Sequence, residues 1–520
     1  MFNSYFTLGQ QGAIGLAVAL GLLSIALHVR NKHRWALMVL TASAFVLRLF
    51  AAWLDPFLND WDEVFHAVVA KNLIAHPFTP MLYAEPAMPL TDSWARCHVW
   101  LHKPPFFLWQ MALSVKLFGT HAWAVRLPSA LWMSALVPVT ARMAQLITGE
   151  RRTAFTAALL TTFCFYIQEL TAGALNTDHN DAVFIPLVAC SWWALLEHWR
   201  SGKISWALWA GVFSGCALLT KWYVGLSVFL PWGLVVLHHR FAREALAPMA
   251  IALGAVLTIA GAWVLSIALR FPELAAFQWG FKAKHFSEPV DGHEGSWTYH
   301  FDQISDLLPP YAWWLVLPAV AWLAFRAART EHRVLLLALP LAVHLFFALA
   351  ATKMVSYTMV LLPLYLIAVA YVLHAALDQL VKERWGTVVG IFGAVLLAAL
   401  GLDLERTQFR HSDFPGQLVA QDPWRERMRA LAFEDKLVGL MHGPGPFALF
   451  NVPSQRGQEI MFRFGIEAID KIPSQEEVER LRAKGYRVVI FQDTHPMDQL
   501  PQGVQVVTDA ELMYPRIQRE

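Results

Sequence analysis

The sequence predicts an α-helical polytopic membrane protein with a small C-terminal α/β soluble domain, and three observations carry that prediction. Of 520 residues, 57% are hydrophobic and only 15% are charged, against roughly 25% charged in soluble domains; mean hydropathy is +0.42. Apolar runs of about 18–25 residues recur along the chain, each long enough to cross a hydrocarbon core of roughly 30 Å. After residue 402 these runs stop, and short strand-like and helix-like segments replace them.

Twelve runs qualify as spans: 11–29, 35–54, 121–147, 153–172, 181–198, 205–220, 222–237, 247–269, 311–327, 333–351, 355–377 and 385–402. The first follows an uncharged N-terminus and lacks a small-residue cleavage site, so it reads as a retained helix. The connections fall into two groups. Arg30/Lys32/Arg34, Arg151/Arg152, Arg200/Lys203, Arg240/Arg243, Arg326/Arg329/Arg333 and Lys382/Arg384 occupy every second one, and the other short connections hold only Lys221 and Lys353. Lys and Arg accumulate in cytoplasmic loops. The alternation therefore predicts that both chain ends, and the long segments 55–120, 270–310 and 403–520, lie outside the cytoplasm. The predicted division is a transmembrane domain over 1–402, with outward loops 55–120 and 270–310, and a small extracytoplasmic domain over 403–520.

Within 403–520, the runs Phe447 to Val452 and Arg487 to Phe491 read as strands. Gln475 to Lys484 reads as a helix with Ser474 as its N-cap. The stretch 403–425 reads as a linker. The net charge of +2 and the absence of a basic run point away from nucleic acid. Of Cys97, Cys164, Cys190 and Cys216, the last three lie in apolar runs, so no disulfide framework is implied.

The chemistry-bearing residues cluster in the outward connections. Asp62 and Glu63 open the first long loop; adjacent carboxylates there suit a general base, metal coordination or binding of an amine. Lys103 precedes Pro104 and Pro105, which hold the backbone extended; an ammonium fixed in that way can clamp a lipid phosphate. Asp178 and Asp181 flank the mouth of a span, three residues apart and so on one face of a helical turn. Carboxylates at that depth are costly unless paired or solvated in a cavity, and either can instead cap the following helix. Lys221 and Lys353, with Tyr357 after the latter, would attract an anionic headgroup or simply snorkel at span ends. The loop 270–310 carries His285, Glu288, Asp291, His293, Glu294 and His300; this mixture leaves a divalent metal open, although no zinc-type spacing is present.

Several of these landmarks appear in an order that resembles the GT-C superfamily of membrane glycosyltransferases. They are Trp61-Asp62-Glu63, Lys103-Pro104-Pro105-Phe106-Phe107-Leu108-Trp109, Ala124-Val125-Arg126-Leu127-Pro128, Asn180-Asp181-Ala182, Gly215 to Lys221, and Lys353 with Tyr357 and Pro363. Trp222 stands where a glycine is usual. The likeness spans roughly residues 55–370 and is greatest to the bacterial branch with the lipid A aminoarabinose transferase, and more distantly to the protein O-mannosyltransferases. The resemblance implies a GT-C fold in the bacterial inner membrane, with its site facing the periplasm. It implies a polyprenyl-phosphate-linked sugar as donor, a lipid, glycan or protein as acceptor, and inversion at the anomeric carbon. It carries the base or acceptor-orienting role to Asp62 with Glu63 beside it, and the donor phosphate to Lys103. The second acid carries to Asp181, with Asp178 as competitor, and a metal-associated histidine to His293. A transporter or flippase of envelope lipids is the rival reading; the long outward loops and the lack of charge in mid-span weigh against it.

Overall fold

The computed structural model describes residues 6–508 except 60, 91–93, 175–178, 291, 309–313, 382, 405–422, 442, 453 and 493–499. The chain divides into two compact units, one of residues 1–54, 128–172 and 177–407, the other of 55–127, 173–176 and 408–520.

The protein is a multi-pass helical membrane protein. Among the described residues, eight helices are long and apolar enough to cross a bilayer: Leu8–Val29, His33–Ala52, Ala122–Thr148, His179–Ser201, Ile204–Lys221, Arg243–Arg270, Thr330–Leu349 and Val355–Leu380. At 1.5 Å per residue, 18 residues reach roughly 27 Å. Leu8, Leu22, Leu265, Leu341 and Leu349 turn outward, as a lipid-facing surface requires. All twelve apolar runs are largely helical, yet the helices fall short of twelve crossings by length. The run 153–172 breaks into Arg151–Thr162 and Phe165–Ala172, and 222–237 becomes a 3₁₀ turn, Trp222–Leu226, followed by Phe229–His238. Val316–Arg326 spans only 11 residues.

The first break has a use. Arg48 lies fully buried within the helix His33–Ala52, and its guanidinium donates to the carbonyls of Thr161 (2.7 Å) and Thr162. Those carbonyls belong to the last turn of an interrupted helix, where no intrahelical donor reaches them. A cation inside a span is tolerated when backbone acceptors take it. Arg48 thus qualifies the expectation of charge-free spans.

Close packing explains the second interruption. A Cβ on Gly225 would lie 2.7 Å from the Leu218 nitrogen, so only glycine lets the 3₁₀ turn fold back on the preceding helix. Ser214 Oγ donates to the Gly225 carbonyl at 2.6 Å and fixes the turn. Gly211 does the same between helices: its Cβ would run into the Ala252 backbone carbonyl, the small-residue approach used in membrane bundles.

The second unit combines the first long loop with the C-terminal segment. Its sheet runs β2-β1-β3-β4, with β1 Phe447–Phe450, β2 Glu467–Ile469, β3 Arg487–Gln492 and β4 Gln505–Thr508. All neighbours are parallel. The helices Ser454–Phe464 and Gln475–Ala483 make the crossovers. The expected strands and helix lie where the apolar runs and Ser474 put them; Ser474 and Glu477 form a capping box. β2 and β4 are too short to stand out in sequence. The 18-residue helix Pro423–Leu440 overlaps the end of the expected linker.

Glu467 on β2 accepts from the Ala87 N–H at 2.9 Å, with Lys484 nearby. Burial nevertheless pushes its carboxyl up, from 4.5 to about 7. Between those values the folded protein keeps a proton that the unfolded chain has released, so this group's contribution to stability is present below pH 4.5 and is lost as pH rises to 7. The full cost is at most about 3 kcal/mol. Glu467→Gln is expected to flatten the pH dependence of thermal unfolding between pH 5 and 7 and to raise the unfolding midpoint at pH 8; an unchanged profile would contradict the buried-acid assignment.

Candidate active site

The helix Asp62–Leu73 begins at Asp62, whose carboxylate sits in its first turn, where the helix dipole favours an anion. Trp61 immediately before it has φ +68, a conformation that bulky side chains rarely adopt and that surrounding structure must hold. Lys103 arrives from the other end of the loop. The Val99 region pairs with Met81 in an antiparallel bridge, and Trp100 N–H donates to the Pro80 carbonyl at 2.8 Å. Pro105 then serves as N-cap of the helix Phe106–Phe118, which packs on Asp62–Leu73. This pins Lys103 so that its Nζ donates to Asp62 Oδ2 at 2.9 Å. Both side chains keep solvent access, 32% for Asp62 and 18% for Lys103. A partly exposed pair of this kind is worth about 1 kcal/mol, so an incoming ligand can open it.

Glu63 has different surroundings. It is 4% exposed and faces a fully buried Arg126. Arg126 Nε donates to Glu63 Oε1 at 2.7 Å and Nη2 to Oε2 at 3.0 Å. The same guanidinium also donates to the carbonyls of Asp55 (2.8 Å) and Phe57 (2.7 Å). Asn59 N–H donates to Glu63 Oε2. Of the two adjacent carboxylates, Asp62 is reachable and Glu63 is enclosed. Arg126 was not among the candidates read from the sequence. A signal existed: it is a lone cation entering an apolar run on the side otherwise poor in Arg, and such a charge needs a partner.

The other unit holds a second pair. Asp181 lies in the first turn of His179–Ser201 and Lys221 ends Ile204–Lys221. These helices form an antiparallel hairpin, which brings the two residues together although 40 positions separate them. Lys221 Nζ lies 2.6 Å from both Asp181 oxygens, and Asp181 is 6% exposed. Lys221 stands over the Tyr357 ring, 5.4 Å from its centroid, within cation–π range. Ser356 Oγ approaches Asp181 at 3.4 Å. The 3₁₀ turn Val355–Leu361 supplies both Ser356 and Tyr357.

Lys353 is placed otherwise. It is 3% exposed, and its ammonium donates to the carbonyls of Phe347, Ala348 and Ala350 at 2.6–2.9 Å. Three donors meet three acceptors at the end of Thr330–Leu349, where a cation complements the helix dipole. His293 meets Lys353 through the backbone only, its carbonyl accepting from the Lys353 N–H at 2.9 Å. Among the described residues no three His, Cys, Asp or Glu side chains gather into a metal-holding group. Asp178 and Asp291 lie outside the described residues.

Comparison with known proteins agrees with this architecture. Residues 102–266 match the family model described as dolichyl-phosphate-mannose-protein mannosyltransferase. The undecaprenyl phosphate-alpha-4-amino-4-deoxy-L-arabinose arabinosyl transferase 2 of Pseudomonas fluorescens is 26% identical over 411 residues, covering 74% of this chain and 64% of the relative. The corresponding transferase of Pseudomonas aeruginosa is 29% identical over 333 residues, covering 61% and 57%. The chain thus spans about half to two thirds of the length of these curated relatives. The crystal structure of ArnT from Cupriavidus metallidurans bound to undecaprenyl phosphate superposes with a TM-score of 0.61 at 18% identity, covering 86% of this chain and 88% of that one. The chain therefore has the GT-C fold and resembles the aminoarabinose-transferase and mannosyltransferase-like members of that superfamily.

Proposed function

We propose that this protein is an inverting glycosyltransferase that moves a single sugar from a polyprenyl phosphate to an acceptor at the periplasmic face of the inner membrane. The observation that carries the reading is the Asp62–Lys103 pair, an accessible acid and an accessible cation in one ion pair, in a chain with the GT-C fold. The relatives' names make a pentose such as an aminoarabinose the first sugar to test, and a lipid the first acceptor. The outward alternation of the basic-poor connections supports the periplasmic placement of the site and of residues 403–520.

In the proposed reaction the acceptor hydroxyl attacks the anomeric carbon. Its oxygen forms the new glycosidic bond while the bond from that carbon to the phosphate oxygen breaks. The lipid phosphate leaves with the electron pair, and the acceptor proton passes to Asp62. The departing phosphate gains negative charge, which a positioned cation stabilises most in the transition state. Lys103 is such a cation, and opening of the Asp62–Lys103 pair would expose one group for each half of the reaction. Asp181 orients Lys221. Glu63 acts as a positioning residue through Arg126, and Lys353 through its hold on the helix end. Because the phosphate leaves without protonation, a single base suffices, in contrast to the paired carboxyls of inverting hydrolases. A flippase reading would need paired access pathways or repeated halves, and nothing in the fold or the comparisons favours it.

The test is transfer in liposomes. Wild-type protein supplied with an undecaprenyl-phosphate pentose and lipid A is expected to add one sugar mass to the acceptor, read by mass spectrometry. Lys103→Met is expected to lower the rate by about 10²–10³-fold. Failure of the wild type with pentose, hexose and uronic acid donors alike, on lipid, glycan and peptide acceptors, would sink the proposal.

A further inference from the structure

The segment 55–59 leads into the Asp62 turn and belongs to neither a helix nor a strand. Buried backbone groups in such a segment must find partners outside regular structure. Here they find charged side chains from separate parts of the chain. From the start of the helix Ala122–Thr148 comes Arg126, on the carbonyls of Asp55 and Phe57, and from the first loop comes Glu63, on the Asn59 N–H. From the C-terminal segment come Glu459 and Arg427. Glu459 Oε1 accepts from the Leu58 N–H at 3.1 Å, and Arg427 Nη2 donates to the Leu58 carbonyl. One peptide residue is therefore gripped at both its donor and its acceptor by side chains about 370 and 400 positions away in sequence. The Arg427 guanidinium also lies over the Phe57 ring, 5.0 Å from its centroid.

The grip is itself supported. Arg427 Nη2 stands 3.5 Å from Glu459 Oε2, the two being 5% and 1% exposed. Arg456 Nη1 reaches the same Glu459 oxygen at 3.2 Å and Glu434 Oε1 at 3.9 Å. Arg463 binds Glu434 at 3.0 Å. The helices Pro423–Leu440 and Ser454–Phe464 supply all five residues. Buried ion pairs of this kind seldom outperform apolar packing in stability, and their best-attested use is to specify one geometry. What this network specifies is the path of the segment that ends at the left-handed Trp61 and Asp62.

We infer that the C-terminal domain is a positioning module for the active-site loop, acting through Arg427 and Glu459 on the Leu58 peptide. This rests on the reading of Asp62 as the base. Misplacing a reacting group by about 1 Å costs on the order of 10²-fold, so the module's effect falls on turnover. Donor binding, for which Lys103 is the proposed cation, is left nearly unchanged.

The experiment uses the full chain in liposomes and pairs kinetics with hydrogen exchange at the Leu58 and Asn59 amides. Arg427→Ala is expected to lower kcat by about 10–100-fold, leave the donor KM within about threefold because only uniform binding would move it, and speed exchange at both amides. Arg427→Lys is expected to recover part of each. Glu459→Gln keeps an acceptor but loses its charge; exchange at Leu58 is expected to rise about fivefold, the difference between a charged and a neutral hydrogen bond. Arg480→Ala, which opens an exposed pair with Glu476, is expected to change neither readout. Exchange is measurable whatever the reaction. An inactive wild type with the expected exchange pattern would remove the transferase reading and keep the clamp. Wild-type exchange at Leu58 in Glu459→Gln, or a fall in kcat without faster exchange in Arg427→Ala, would overturn the inference. Should Arg427→Ala fail to fold, Glu459→Gln and Arg427→Lys decide the matter by the same two readouts.

Discussion

Asp62→Asn is expected to reduce sugar transfer by about 10²–10⁴-fold, the range of a lost general base, with little change in expression or thermal unfolding. The small structural effect follows from the surroundings of the side chain. Asp62 is about one-third exposed and its ion pair with Lys103 is partly open to water, so the amide remains hydrated. The amide has no lone pair basic enough to take the acceptor proton. Donor KM is expected to hold, since the substituted carboxylate takes no part in holding the phosphate. Initial rates in liposomes over a range of donor concentrations separate the two parameters; activity in Asp62→Asn within tenfold of wild type would remove Asp62 from the base role.

Arg126→Leu is expected to have the largest effect on folding, about 3–5 kcal/mol, because it strands a buried charge. Glu63, 4% exposed, would lose both guanidinium contacts, and the carbonyls of Asp55 and Phe57 would lose their donors. The diagnostic is the double variant. If the cost comes from the uncompensated carboxylate, then Glu63→Gln in the Arg126→Leu background recovers a good part of the lost unfolding midpoint, whereas Glu63→Gln alone is mildly destabilising. Simple addition of the two losses would mean that the pair is not coupled and that Arg126 acts through the carbonyls alone.

The contrast between adjacent Asp62 and Glu63 marks where sequence reading stops. Two neighbouring acids look equivalent in a string of letters. They diverge by about 100° around one helical turn, so one meets Lys103 and water and the other meets Arg126 in the interior. Lys221 and Lys353 show the same limit. Both sit in short connections on the side poor in basic residues, yet Lys221 faces Asp181 and Tyr357 while Lys353 closes a helix end. Asp181 and Lys221 were legible as candidates, and their pairing follows once the helices bearing them form a hairpin. Arg427 and Glu459 were beyond reach, because nothing near residue 58 or residue 459 announces a contact across 401 positions.

By itself the sequence determined the membrane class, the positions of the apolar helices and the α/β character of the C-terminal segment. Each of these depends on local composition, on periodicity or on the charge of short loops, and those act over one helix at a time. Only the tertiary structure decided which runs break, which acid stays accessible, which lysine is committed to a helix end, and that the C-terminal segment packs with the first loop as one unit. Those outcomes depend on burial and on the need of every buried charge and backbone group for a partner, and the partners lie up to 401 residues apart.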